Sequence, residues 1–403
     1  MQQISSDETA LLASIDPAPM LARVEAWSAI NTGTGNLAGL KHQAGLLADA
    51  FSALPGGVAL TDAAEVCAVA ADGQERALDN GQHLVLRVRP KAERRFLLTG
   101  HMDTVFAPSH PFQAQRWLDA ETLNGPGVAD MKGGIAVLLA ALTAFEQGEA
   151  AASIGYDVLI NSDEETGSLG SAGLIAELAA GKAAALTYEP SALPDGTLAG
   201  ARAGSGNWSL TITGKSAHAG RNPQDGRNAI VAAAALTLGL KALERPGLTI
   251  NPAKIDGGGA TNVVPDLAVL RFNIRPRALE LAAAFEAGLA DLIAQVEQDH
   301  GVSVHRHGGI SRPPKAVDAR AEKLFGIVET CSALLGQPIG RIASGGVCDG
   351  NNIAACGVPV VDTMGVRGGA IHSPDEFMII SSLAERAQLS ALVLHRLATG
   401  APL

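Results

Sequence analysis

The sequence predicts an α/β domain interrupted by a smaller, inserted α+β domain. Three observations carry this reading. Apolar strand-like runs alternate with helical stretches from about residue 84 to 200. Between 201 and 312 the texture changes to half-exposed alternating strands around two helices, and from 313 helix and buried strand return. Strands that alternate with helices build a parallel or mixed sheet covered on both faces.

In chain order, residues 7–53 read as helix, with Leu11, Leu12 and Ile15, then Leu21, Val24 and Trp27, at helical spacing. LVLRV is a strand, and RFLLTG a second that ends at His101. KGGIAVLLAALTAFEQG is a helix, YDVLINS a strand, SAGLIAELAAG a helix and AAALTY a strand. In the insertion, GNWSLTITG alternates like a half-exposed strand and NAIVAAAALTLGLKAL is a helix. LAVLRFNIRP, the helix LELAAAFEAGLADLIAQVEQDH and VSVHRH follow. This β-α-β-α-β order, with room for another strand at LTINPAKIDG, fits a small ferredoxin-like sandwich. ARAEKLFGIVETCSALLG then reads as helix and VPVVDTM as buried strand. The expected domains are therefore 1–200 with 313–403, and 201–312.

Composition narrows the function classes. The 403 residues are 47% hydrophobic and 18% charged, a globular balance, and with 3% aromatics the core rests on Ala, Leu, Val and Ile. A net charge of −11 without a basic run argues against nucleic-acid partners and suits a site that binds cations. Cys67, Cys331, Cys348 and Cys356 form no CxxC pair, so neither a cysteine zinc site nor a disulfide framework is expected. All four read as small buried hydrophobes. The N-terminal segment lacks the basic start and apolar run of a signal peptide. No apolar stretch reaches the roughly 18 uninterrupted residues of a membrane helix, and the expectation is a cytoplasmic protein.

Five segments share one design, in which an apolar run stops and a carboxylate or histidine follows. FLLTG precedes His101 and Asp103, GPGVAD presents Asp130, and VLINSD precedes Glu164 and Glu165. AALTY precedes Glu189, and VPVVDTMG leads to His372. In open α/β sheets ligands collect beyond the carboxyl ends of strands, so these residues can converge on one crevice. Histidine and carboxylate donors suit zinc. Asp130, Glu165 and Glu189 with one hydroxide neutralise two dications, which leaves His101 and His372 as one neutral ligand each. Asp103, two residues past His101 on the same face of an extended chain, is placed to fix that imidazole's tautomer.

Each piece alone is ordinary; their joint occurrence in order is not. TGHMDTV, GPGVADMKGG, SDEETGSLGS, TYEP, SAHAG, ATNVVP and IHSPDE together resemble peptidase family M20, the dinuclear zinc aminoacylases and carboxypeptidases. Within it the similarity is greatest to glutamate carboxypeptidases. The resemblance implies a zinc-peptidase-like catalytic domain with an inserted ferredoxin-like dimerisation (lid) domain. It implies one zinc on His101 and Glu189, another on Glu165 and His372, and Asp130 between them, with Co2+ or Mn2+ as substitutes. Glu164 is the implied general acid–base, and Asp103 the histidine clamp. His218 of SAHAG is implied to complete a partner's active site across a homodimer. Asn262, Arg275 and Arg312 match substrate-binding positions. Glu189, where aminopeptidase relatives tend to carry Asp, points to a carboxypeptidase or deacylase, and Cys348 stands where relatives usually carry Ser or Thr.

The implied reaction is hydrolysis of an amide or peptide bond that releases a glutamate-like C-terminal amino acid from a small N-acyl or peptidyl substrate. An N-acyl-amino-acid or succinyl-diamino-acid deacylase is the alternative. A catalytically inactive amino-acid or metal sensor is disfavoured, because the base and all five ligands are present. His110, His300, His305 and His307 read as surface residues. The glycines Gly167, Gly170 and Gly173 read as the turn into a helix, since no GK[ST] follows.

Overall fold

The computed structural model describes residues 3–403, so the first two residues of the N-terminal segment lie outside it. Helices Ser6–Ala13, Pro17–Ser28 and Leu37–Phe51 cover the expected N-terminal stretch. Each starts on a residue whose short polar side chain takes a free backbone N–H: Ser5 in a reciprocal pair with Glu8, Asp16 before a proline, and Asn36.

The central sheet runs Gly57–Thr61, His83–Val88, Gly155–Asn161, Arg95–His101, Ala184–Thr187, Val360–Val361. The last four are mutually parallel and the first two pair antiparallel, so the sheet is mixed. His101 lies in register with Asn161, so the parallel strands end along one line and release their following residues into a common crevice. Helix Gly134–Phe145 is almost wholly buried against this sheet and against the long C-terminal helix Ser382–Ala398. Its start needs glycine, because a Cβ on Gly134 would collide with the carbonyl of Tyr188. That close approach brings the Asp130 turn beside the strand end that carries Glu189. The stretch Val128–Phe145 is long and apolar enough on paper to cross a membrane, but 89% of it is buried inside this fold.

The expected spare strand of the insertion is real. Strands Ser205–Thr213, Leu248–Gly257, Leu267–Pro276 and Ser303–Arg312 form a separate antiparallel sheet, with helices Ala229–Ala242 and Leu279–His300 against one face. The spatial order second, third, first, fourth and the βαββαβ sequence are those of a ferredoxin-like sandwich. Its own core gathers several of the scarce aromatics: Trp208 stacks on Phe272 at 5.4 Å, and Phe285 meets Trp208 edge-on at 5.2 Å. One expectation is corrected here. Cys331 and Cys348 are buried, but Cys67 and Cys356 are exposed, because one sits on an outlying hairpin and the other at a helix end.

Candidate metal centre and substrate pocket

The strand-end residues converge. His101 Nε2 lies 3.1 Å from Asp130 Oδ1 and 3.7 Å from Glu189 Oε2. His372 Nε2 lies 3.2 Å from Asp130 Oδ2 and 3.1 Å from Glu165 Oε2. Asp130 therefore presents one oxygen to each histidine. His372 reaches this place on a left-handed backbone, φ 61°, which non-glycine residues rarely adopt outside functional sites.

The electrostatics of the cluster follow from burial and from these close pairs. Burial, and then the Asp130 charge, push Glu165 up to about 7. Burial likewise raises Glu164 and Glu189. Burial opposes charge on His101, but Glu189, Asp103 and Asp130 outweigh it and raise its pKa well above the ordinary value. Hydrogen bonds from His372 to Asp130 and Glu165 push that imidazole up to about 11. Asp130 alone among these carboxylates is lowered: burial opposes its charge, but the two histidines on either side of it hold it down. Four buried carboxylates around two imidazoles form a site in which bound cations would offset the cost of burying charge. Ligand atoms of His101, Asp130 and Glu165 lie within 4.8 Å of one another, as do those of His101, Glu164 and Glu189. The donors and spacing fit divalent ions. Glu164, the expected free base, thus stands within ligand reach as well.

Supporting contacts refine several expectations. His101 Nδ1 is closer to the backbone carbonyl of Asp103, 3.0 Å, than to its carboxylate, 3.5 Å. The Asp103 carboxylate instead accepts the backbone N–H groups of Glu164 and Glu165, both at 3.1 Å, and the Thr34 hydroxyl at 2.9 Å. It clamps the Glu–Glu turn at least as much as the histidine. Asp163 accepts the N–H groups of Gly170 and Ser171, which confirms the glycine stretch as the turn into helix Ala172–Ala179.

Arg312 is buried and occupied. Its Nη2 donates to the Glu164 carbonyl and to Ser168 Oγ, each at 2.8 Å. The same nitrogen lies 2.8 Å from Glu164 Oε1, off the axis of a directed hydrogen bond, and 3.5 Å from Asp349. Arg275 is half-buried; its Nε donates to Asn273 at 2.9 Å, and among the described residues no carboxylate pairs with it. Both arginines line a cavity of about 610 Å³ together with Glu164, Glu189, Cys348 and His372. His218 and Asn262 do not line it. They sit together on exposed loops of the insertion, where His218 pairs with Val263.

One residue of this centre had no role assigned from sequence. Glu376, buried beneath the Asp130 turn, accepts the N–H groups of Ala129 and Asp130 at 3.0 Å and of Gly127 at 3.2 Å. Its signal was its place in IHSPDE, four residues after His372.

A profile of peptidase family M20/M25/M40 matches residues 97–396, a span that holds every strand-end donor. The chain belongs to that family. It is a metallo-hydrolase of peptide or amide bonds with a candidate metal-binding His/Asp/Glu cluster. Among its family relatives, carboxypeptidase G2 of Pseudomonas sp. (strain RS-16) is 30% identical over 330 residues, 79% of this chain and 78% of the relative. A succinyl-diaminopimelate desuccinylase of Halorhodospira halophila is 32% identical over 311 residues, 72% of this chain and 79% of the relative. The fold matches a Staphylococcus aureus tripeptidase (TM-score 0.73, 24% identity, 96% of this chain and 100% of the other). It also matches an M20 metallo-carboxypeptidase of Sulfolobus solfataricus (TM-score 0.71, 14% identity, 94% and 99%).

Proposed function

We propose that this family member is a two-zinc carboxypeptidase, which releases an amino acid with a free α-carboxylate, glutamate in the first instance, from an N-acyl or peptidyl substrate. The observation that carries this is Arg275, a guanidinium in the wall of the metal-site cavity that pairs with no carboxylate among the described residues. A planar cation there binds both oxygens of a carboxylate.

His101 with Glu189, and His372 with Glu165, would hold the two ions, with Asp130 between them. When bound, such ions polarise the scissile carbonyl and acidify a water. The Glu164 carboxylate takes that water's proton and returns it to the leaving nitrogen. Arg312, held on Glu164 and Asp349, keeps the base in place; it is a positioning residue here rather than the carboxylate anchor. Residues 201–312 act as lid and dimerisation unit. The Nδ1 of His218 accepts the N–H groups of Gly220 and Arg221 at 3.1 Å, so the ring's proton resides on Nε2. That tautomer supports a donor role in a partner's site.

Desuccinylation is the second reading, favoured by the Halorhodospira relative. Such substrates bring carboxylates on both sides of the amide. Among the described residues, the cavity's Arg202 already pairs with Asp362 and Arg312 with Glu164, so one free cation favours the first reading. The test compares an N-acyl-glutamate with its α-amide. Losing a charged hydrogen bond costs about 1.5–3 kcal/mol, so the amide should be cleaved about ten- to a hundredfold more slowly in kcat/KM. Arg275→Ala should erase that preference. Equal cleavage of acid and amide by the parent enzyme overturns the carboxypeptidase reading.

A further inference from the structure

The hairpin of strands Val66–Val69 and Glu75–Leu78 leaves the catalytic part and lies across the lid's sheet on the face opposite its helices. Arg271 of the lid donates to the Val69 carbonyl at 2.8 Å, and a Cβ on Gly73 would touch Thr211 and Leu267. At the edge strand of that face, His305 Nε2 and His307 Nδ1 approach the same oxygen, Glu75 Oε1, at 3.2 and 3.1 Å. The two histidines are two apart on one strand and share its face.

We propose that Glu75, His305 and His307 form an accessory site for a divalent transition-metal ion, which bolts the catalytic part's hairpin to the edge strand of the lid. The argument rests on His307. Its other nitrogen, Nε2, lies 3.0 Å from the Cys67 carbonyl, which can only accept, so Nε2 carries a proton. In the neutral ring Nδ1 then turns a lone pair toward a carboxylate oxygen 3.1 Å away. Two acceptors at that distance need either a second ring proton or a metal cation between them.

The catalytic centre shows the same pattern. His101 has one nitrogen 3.0 Å from a backbone carbonyl and the other 3.1 Å from a carboxylate. Metal-bound histidines are oriented in this way, with the second N–H on a carbonyl. Imidazole with carboxylate suits zinc, nickel or copper. Closing all three donors onto one ion takes a swing of the His305 ring, whose side chain is 67% exposed, about its 3.2 Å contact with Glu75. An ion here ties the lid to the catalytic part without touching the catalytic donors, and this inference is independent of the carboxypeptidase reading.

A proton on His307 would satisfy the same two acceptors, and titration separates the two. Holoenzyme, freed of excess metal, is titrated with Zn2+ by calorimetry at about pH 7.5 and again at about pH 5.5, where imidazole is protonated. The wild type should take up one further equivalent at the higher pH and lose that uptake at the lower. Glu75→Gln and His307→Ala, each on the surface, should fail to take it up while their activity before titration matches the wild type. No further equivalent in the wild type overturns the site, as does undiminished uptake by both variants. Hydrogen-exchange protection of residues 66–78 that falls with rising pH, without any zinc uptake, would assign the imidazolium instead and also overturn it.

Discussion

At the ends of the central strands, His101, Asp103, Asp130, Glu164 and Glu189 are each less than a tenth exposed, and each touches another member of the set. On the lid, His218 and Asn262 stand on exposed loops, and the partners of His218 are backbone N–H groups of its own turn. The first region answers the burial of each charge with another charge in the same chain. The second has oriented a donor and, among the described residues, given it no reacting group to act on. On the proposed function a single chain would hold the ions and the base, and the donor on His218 would be met by a second copy.

The largest effect should come from within the first region. Glu164→Gln should keep the metals and lose about two to four orders of magnitude in kcat, the range of general acid–base catalysis. Glu165→Gln should instead release metal, because it removes one of the four carboxylates in the two clusters. Metal analysis beside kinetics decides it. Because Glu164 also stands within ligand reach, equal loss of metal in both variants would move it from base to ligand.

The second region is tested across chains. His218→Ala should cripple turnover with metal content intact. Mixing inactive His218→Ala chains with inactive Glu164→Ala chains should restore about one working site per mixed dimer. Absence of recovery after proven subunit exchange would confine His218 to its own chain and remove the contrast on which the comparison rests.

Between the two regions stands Arg312, on the last lid strand but inserted into the catalytic cluster. Arg312→Ala leaves Glu164 and Asp349 buried without their cation, a loss on the order of 3–5 kcal/mol in stability. It should slow the free acid and the amide alike. Arg275→Ala should slow only the free acid. A selective loss of the free acid in Arg312→Ala would return Arg312 to the carboxylate subsite.

Much of this was legible because the strand ends announce themselves. An apolar run that halts at His101, Glu164 or Glu189 marks both the strand and the donor beyond it, and KGGIAVLL marks a helix that must pack closely. The role of Arg312 was not legible. Sequence gives its type and neighbours, but only the fold places Ser168 and Asp349 around it, from residues 144 and 37 positions away. Glu376 was hidden for a related reason: its partners are backbone N–H groups, which leave no residue-type signature. The hairpin Val66–Leu78 escaped because its strands have four residues each and their packing partner lies in the insertion. The C-terminal helix Ser382–Ala398 follows the last segment read, and its inward face becomes meaningful only against Gly134–Phe145.

The smallest effect is on stability, and its sign follows from the protons the cluster holds. Without metal, Glu165 has a pKa near 7 in the fold against 4.5 ordinarily, so the folded state binds its proton more tightly. Between those values the folded protein carries more protons than the unfolded one, and stability falls as pH rises. His372, raised from 6.5 to about 11, adds stability that is complete below the lower value and is lost as pH climbs through the upper one. Both groups therefore weaken the metal-free protein between about pH 5 and 8. Metal binding needs the same two groups deprotonated, so its stabilisation grows over that interval. The difference in Tm between metal-loaded and chelator-treated protein should widen by a few degrees from about pH 5 to 8. His218→Ala, on the lid, should leave the widening unchanged, whereas Glu165→Gln should flatten it. A gap that narrows with pH, or one that His218→Ala abolishes, would mean that the titrating charge does not reside in the strand-end cluster.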